Sequence, residues 1–140
     1  MNRFTIVAAG VAIAASAALV AGAARAELPP YVYEQERAAA DTVVVIDVDR
    51  VSGPSAREAK GLCVLRGRIV SVERGDWRPG EAATFYVACV TPRWQPMPGP
   101  FPGHQVAWLR EQRRLKIWAR GDQAVRRGLE PVAVATEGAR

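Results

Sequence analysis

Histidine, cysteine and lysine are nearly missing from this 140-residue chain, which has His104 alone, Cys63 and Cys89, and Lys60 and Lys116. One histidine and two separated thiols leave a zinc centre without the four nitrogen or sulfur ligands it needs. The cysteines lie 26 positions apart, far from the CxxC spacing of a redox pair. Neither a Gly-x-Ser-x-Gly elbow nor a phosphate-cradling glycine pattern occurs, so no catalytic motif stands out and no cofactor is implied. No internal repeat marks a solenoid or a second domain. With 49% hydrophobic and 24% charged residues the chain is neither disordered nor collagen-like, and its length suits one packed domain.

Charge is absent from one long stretch. Residues 4–24 follow Arg3, are built mainly of Ala, Val, Ile, Leu and Gly, and run into the small-x-small triplet Ala24-Arg25-Ala26. That is the layout of a signal peptide over 1–26, with 27–140 as a single mature domain. The rival is an uncleaved anchor, since 21 uncharged residues reach across a bilayer, but Ala and Gly make this run only mildly apolar. No cysteine follows Ala26 to accept a lipid. The expectation is a protein exported to a periplasm or the extracellular space, without a membrane anchor after cleavage.

Without Arg3 and Arg25 the chain keeps 17 basic residues against 14 acids, a net charge of +3. Their distribution says more than the total. Between His104 and Gly128 stand Arg110, Arg113, Arg114, Lys116, Arg120, Arg126 and Arg127 against Glu111 and Asp122, a local +5.

In an oxidising compartment, two cysteines in a small domain pair most simply with each other. The turn-rich stretch Arg74-Gly75-Asp76-Trp77-Arg78-Pro79-Gly80 separates two β-branched apolar runs, at about residues 62–74 and 82–91. Pairing these strands about Asp76 places Cys63 opposite Cys89, Leu65 opposite Val87, Gly67 opposite Phe85 and Ile69 opposite Ala83. Every member of that face is apolar or glycine, so the expected disulfide staples neighbouring antiparallel strands. The other face mixes Arg66, Arg68 and Thr84 with Val70, Val72 and Tyr86, as in a partly covered sheet.

Elsewhere, residues 31–40 read as a short helix and 42–51 as a strand through Val43-Val44-Val45-Ile46. Five prolines and two glycines make residues 92–103 an extended loop. Residues 105–110 and 115–119 suit a hairpin, with a helix around Glu111-Gln112-Arg113-Arg114 as the rival. Asp122 to Gly128 looks like a capped helical turn, and 132–136 alternates like a last strand. The sum is a mainly β domain: a small, partly open OB-like barrel, or a sandwich, of five or six antiparallel strands with one or two short helices.

The run Gly67-Arg68-Ile69-Val70-Ser71-Val72-Glu73-Arg74-Gly75-Asp76, followed by Arg78-Pro79-Gly80-Glu81, resembles exported bacterial OB-like barrel modules. These are distantly similar to netrin-like and metalloproteinase-inhibitor domains. The resemblance spans residues 41–109 and implies a fold only. The inhibitor pattern has a metal-chelating cysteine at the mature N-terminus, and this sequence has none there.

Three features are candidates for function. Trp94, Met97, Phe101 and His104 sit on a proline-stiffened loop, which loses little entropy on binding a partner; the alternative is that they fold back as a lid on the barrel. The basic residues Arg110, Arg113, Arg114, Arg126 and Arg127, interleaved with Trp108 and Trp118, suit an anionic surface. For an exported protein that surface is glycolipid, phospholipid headgroups or acidic polysaccharide before nucleic acid. His104 with Asp47 or Asp49 is the sole set from which a small hydrolase or metal-dependent enzyme is conceivable. The expectation is a non-catalytic binding or structural module contacting an envelope protein or an anionic surface.

Overall fold

Four consecutive β-branched residues, 43–46, lose rotamer freedom in a helix and fit a pleated surface, and they lie in the first strand, β1 (Thr42–Ser52). The computed structural model describes residues 27–135. The expected signal peptide and Thr136 of the expected last strand lie outside them. Before β1 comes a helix, α1 (Pro30–Ala38), opened by proline in its first turn, where no backbone N–H is required. After it come β2 (Lys60–Arg74), β3 (Ala82–Val90), a two-residue β4 (His104–Gln105), a short helix α2 (Val106–Glu111), β5 (Arg114–Arg120) and β6 (Gln123–Pro131).

The sheet order β2-β1-β5-β6-β3-β4, with a further β2–β3 pairing, closes five strands into a barrel and leaves β4 as an extra strand on β3. The expected small barrel is formed, and its closure excludes the sandwich. Two junctions differ from the all-antiparallel expectation, since β3 runs parallel to both β4 and β6. The β3–β6 seam is held by one pair, Tyr86 with Gln123. Phe85, Ile46, Leu65, Leu115 and Ile117 fill the barrel, and α2 adds Leu109 to the same core. No helix among the described residues is long and apolar enough to cross a membrane.

Cys63 and Cys89 are joined as expected, with Cα atoms 5.8 Å apart and both residues fully buried. The register differs. Cys63 faces Val87, Leu65 faces Phe85 and Gly67 faces Ala83, so the bridge runs diagonally between the strands. The ladder turns about Gly75 rather than Asp76. Gly80 N–H donates to Ile69 O and Ile69 N–H to Glu81 O, while residues beyond Arg68 pair with β1 instead of β3. A slip of two residues keeps every side chain on its face, which is why the apolar face survives the change.

Three local readings are corrected. Residues 106–111 are helical, because spacing of three turns both Val106 and Leu109 to the core while only His104 and Gln105 pair with β3. Residues 123–131 form β6 rather than a helical turn. Asp122 marks the tight turn from β5, and β6 leaves its ladder opposite Trp118, between Ala124 and Leu129, in a wide bulge. Residues 132–135 are not a strand: Val132 N–H donates to Arg114 O at 3.0 Å, but β5 begins at Arg114 and the ladder ends there.

Gly67 is required by its neighbour: a β-carbon there would lie 2.0 Å from the carbonyl oxygen of Asp47. Gly67→Ala is therefore expected to destabilise the fold by about 3 kcal/mol, the upper range for forced overpacking. Replacing both cysteines by alanine is expected to cost about 3 to 4 kcal/mol through the loop they close. Urea unfolding of each variant checks both values, and an unchanged midpoint would contradict them.

Candidate aromatic binding pocket

Prolines at 92, 96, 98, 100 and 102 remove backbone donors, so residues 92–103 follow β3 without joining the sheet. Two anchors hold this loop. At its start, the Thr91 hydroxyl donates to Glu58 O at 2.6 Å and accepts from Arg93 N–H at 3.2 Å. At its end, Gly103 (φ 133°) lies so close to β3 that a β-carbon would stand 2.4 Å from Ala88 O. His104 then enters the parallel pairing with Cys89.

The helix α2 begins two residues later and returns Trp108 over His104. Their rings stack with centroids 4.9 Å apart and 16° between planes. Phe101 meets the same imidazole edge-on at 5.0 Å. Together with Trp94, Val90, Pro102 and Gln105 they line a pocket of about 490 Å³. A second hollow, about 270 Å³, shares Val90, Trp94 and Gln105 and continues past Trp94 toward Pro92, Pro96 and Val106. The two hollows are neighbours that share Trp94 as a lining residue, and together they are termed the aromatic groove.

This groove is electrically neutral. Burial against the aromatic rings lowers the His104 pKa to about 4, so its imidazole is uncharged at neutral pH. A neutral imidazole presents one donor and one acceptor, and neither nitrogen is hydrogen-bonded within the described residues. The Arg127 guanidinium stands 5.0 Å above both the Phe101 and the Tyr33 rings, and it is paired with the Glu27 carboxylate.

The structure thus brings Trp94, Phe101 and His104 together. Met97 stays 71% exposed and lines neither hollow. Trp108 is the residue sequence reasoning missed for this site; reading 105–110 as a strand concealed that it stacks on His104. Trp108, on α2 rather than on the loop, packs against the barrel core, whereas Trp94, Met97 and Phe101 are not among the side chains that do.

The basic segment fares differently. Arg114 makes a two-pronged contact with Asp47, at 2.6 and 3.0 Å, which holds the Asp47 carboxyl below its usual range. Arg126 binds Glu36, Arg127 binds Glu27 and Lys116 binds Glu73. Arg110 and Arg113 make no ion pair among the described residues, so most of the local +5 is neutralised within the fold.

Asp47 being committed to Arg114, no hydrogen bond or ion pair links His104 to either aspartate. Asp49 falls in a bulge of β1 between Val48 and Arg50, which breaks the alternation that would align it with Asp47. Another depression, of about 710 Å³, is lined by Asp41, Asp76, Glu81 and Asp122. Its Asp41 accepts from Gly121 N–H and the Thr42 hydroxyl. Among the described residues no three His, Cys, Asp or Glu side chains are grouped to hold a metal. Comparison of the chain with protein-family models, curated proteins and solved structures finds no match.

The low pKa of His104 fixes a pH response. In the unfolded chain a histidine takes up its proton near pH 6.5, whereas in the fold it does so near pH 4. Between these values the unfolded state binds more protons, so the His104 contribution to stability is expected to fall as pH drops from about 6.5 toward 4 and to level off below, where the lowered Asp47 carboxyl continues the decline. The imidazole resonances of the folded protein should titrate near pH 4, and His104→Gln should lose the stability decline over that interval. An imidazole that titrates near 6.5 in the fold would contradict the burial argument.

Proposed function

We propose that the protein is a non-catalytic, exported binding module whose aromatic groove grips an uncharged, apolar segment of another exported protein. The observation that carries this reading is the convergence of Trp94, Phe101, His104 and Trp108 around a neutral pocket. Tryptophan dominates binding hot spots because it buries a large area at small entropic cost. Prolines on the loop reduce what ordering it costs on association. Trp94 lines both neighbouring hollows, an arrangement that suits an extended segment more than a compact ligand. The disulfide fits an oxidising compartment, and the signal-like residues 1–26 support export.

The same geometry weighs against the run 110–127 as a dedicated anionic-surface site, since Arg114, Arg126 and Arg127 already have carboxylate partners. It also gives the hydrolase reading no assembled pair of groups. A neutral aromatic groove binds through apolar burial, and that contribution is insensitive to moderate salt.

The test is a pull-down from envelope extract with residues 27–140, compared with Trp94→Ala and Phe101→Ala. Neither side chain is in the barrel core, so both variants should fold. A partner retained at high salt by the unchanged protein and weakened about tenfold by either substitution, a typical hot-spot loss, is the expected result. Equal retention by all three proteins would refute the reading.

A further inference from the structure

The outward face of β1, β2 and β3 carries a second cluster, sharing no residue with the aromatic groove. Arg50 on β1 and Arg66 on β2 are direct cross-strand partners. Arg68 follows on the same side of β2, one side-chain period along. All three are exposed. Like charges directly opposite one another destabilise a sheet, and among the described residues none of the three has an ion-pair partner. Arg68 reaches only a backbone carbonyl, that of Gly80, at 3.3 Å.

The nearby acids do not relieve this. Asp47 stands directly opposite Arg68 across the β1–β2 ladder but gives both its oxygens to Arg114, and Glu73 is held by Lys116. The Glu81 carboxylate accepts from Arg78 N–H, and Asp49 beside Arg50 makes no ion pair. The fold gives Arg37, Arg114, Arg126 and Arg127 a carboxylate partner and leaves its other described arginines, Arg110 and Arg113 among them, without one. Here it leaves three guanidinium groups together without one.

Beside them lies an apolar shelf. Arg66 faces Thr84, the next outward pair is Val64 with Tyr86, and the next is Leu62 with Ala88. Leu62 is 51% and Tyr86 37% exposed, two of the few large apolar side chains so open to solvent. Outward rows on a strand repeat at about 7 Å, so the arginines and the shelf form one continuous strip across successive rows.

We infer that this strip is a second binding surface and that its ligand is an acidic polysaccharide. Guanidinium groups pair with carboxylates in two-pronged fashion and are weakly hydrated, so three together favour a chain carrying repeated anions. A pyranose ring has an apolar C–H face, which fits on Tyr86 and Leu62 while its carboxylate reaches Arg66. Single-stranded nucleic acid stacks successive bases on successive aromatic rings, and this strip offers one ring. The buried disulfide fits an oxidising compartment, where polyuronates are a more available polyanion than nucleic acid.

The test uses polygalacturonate as probe, with neutral dextran, an oligothymidine of equal charge and phosphatidylglycerol vesicles as competitors. The protein is expected to bind polygalacturonate at low salt, to release it as salt rises, and to ignore dextran. Arg66→Glu should weaken binding at least tenfold, Arg66→Lys much less, and Tyr86→Ala severalfold with the salt dependence kept. Arg50→Gln should weaken binding while raising the urea midpoint, because it removes one of two opposed like charges. No binding of polygalacturonate, or binding unaffected by Arg66→Glu, overturns the proposal. Preference for oligothymidine or for the vesicles overturns the assignment to polysaccharide.

Discussion

The barrel depends on one close approach between β1 and β2. At Gly67 the β2 backbone comes so near to Asp47 that the carbonyl oxygen of Asp47 occupies the place a β-carbon would take. The same residue sends its carboxylate to Arg114 on β5. Asp47 thus bridges both neighbours of β1, by its backbone on one side and its side chain on the other. The strong coiling this permits lets β2 continue past β1 and pair with β3, which closes the sheet. A flatter β2 would leave two open edges and no enclosed core.

Closure is uneven, and the aromatic groove follows from that. Between β3 and β6 a single pair is made, after which β6 bulges out and Arg127 takes a left-handed conformation (φ 50°), uncommon for arginine. The upper part of β3 is therefore free to receive His104 and Gln105, and Gly103 is what lets the chain come in so closely. Once His104 is docked, α2 must start immediately, and Trp108 lands on the imidazole. The pocket is the consequence of an incompletely sealed barrel covered by a loop too rich in proline to become a strand.

How much of this was legible in the sequence depends on how local its cause is. The run 43–46, the alternation through Cys63, Leu65 and Ile69, and the proline spacing of 92–102 are local, and each corresponds to the element it announces. The exact register is not local: it depends on residues 70–74 leaving β3 for β1, which no turn signal near Asp76 reveals. For β6, Asp122 and Gly128 read as the caps of a helical turn, but capping residues carry no information about a strand partner, and pairing with β5 decides the outcome. The site divides in the same way. Trp94, Phe101 and His104 are visible as apolar and aromatic residues on a stiff loop, whereas Trp108 needs the fold of α2. The basic run shows the sign of its charges but not their partners, because Asp47, Glu36 and Glu27 come from distant segments.

That last point separates the two surfaces physically. A guanidinium beside a carboxylate in the fold has little field left for a ligand, so charge counted along the chain misplaces the cationic surface. Near the groove, Arg127 is neutralised by Glu27 and held in place by Arg37, which donates to its carbonyl oxygen. Desolvation keeps His104 uncharged as well. On the outward face of β1 and β2, Arg50, Arg66 and Arg68 make no ion pair among the described residues, and their field extends into solvent over about a Debye length. A neutral groove and a cationic strip on one small barrel select different chemistries without competing, since one draws on apolar burial and the other on a screened field. The opposed pair Arg50–Arg66 marks the cationic strip, because it sets two exposed guanidinium groups side by side across one ladder.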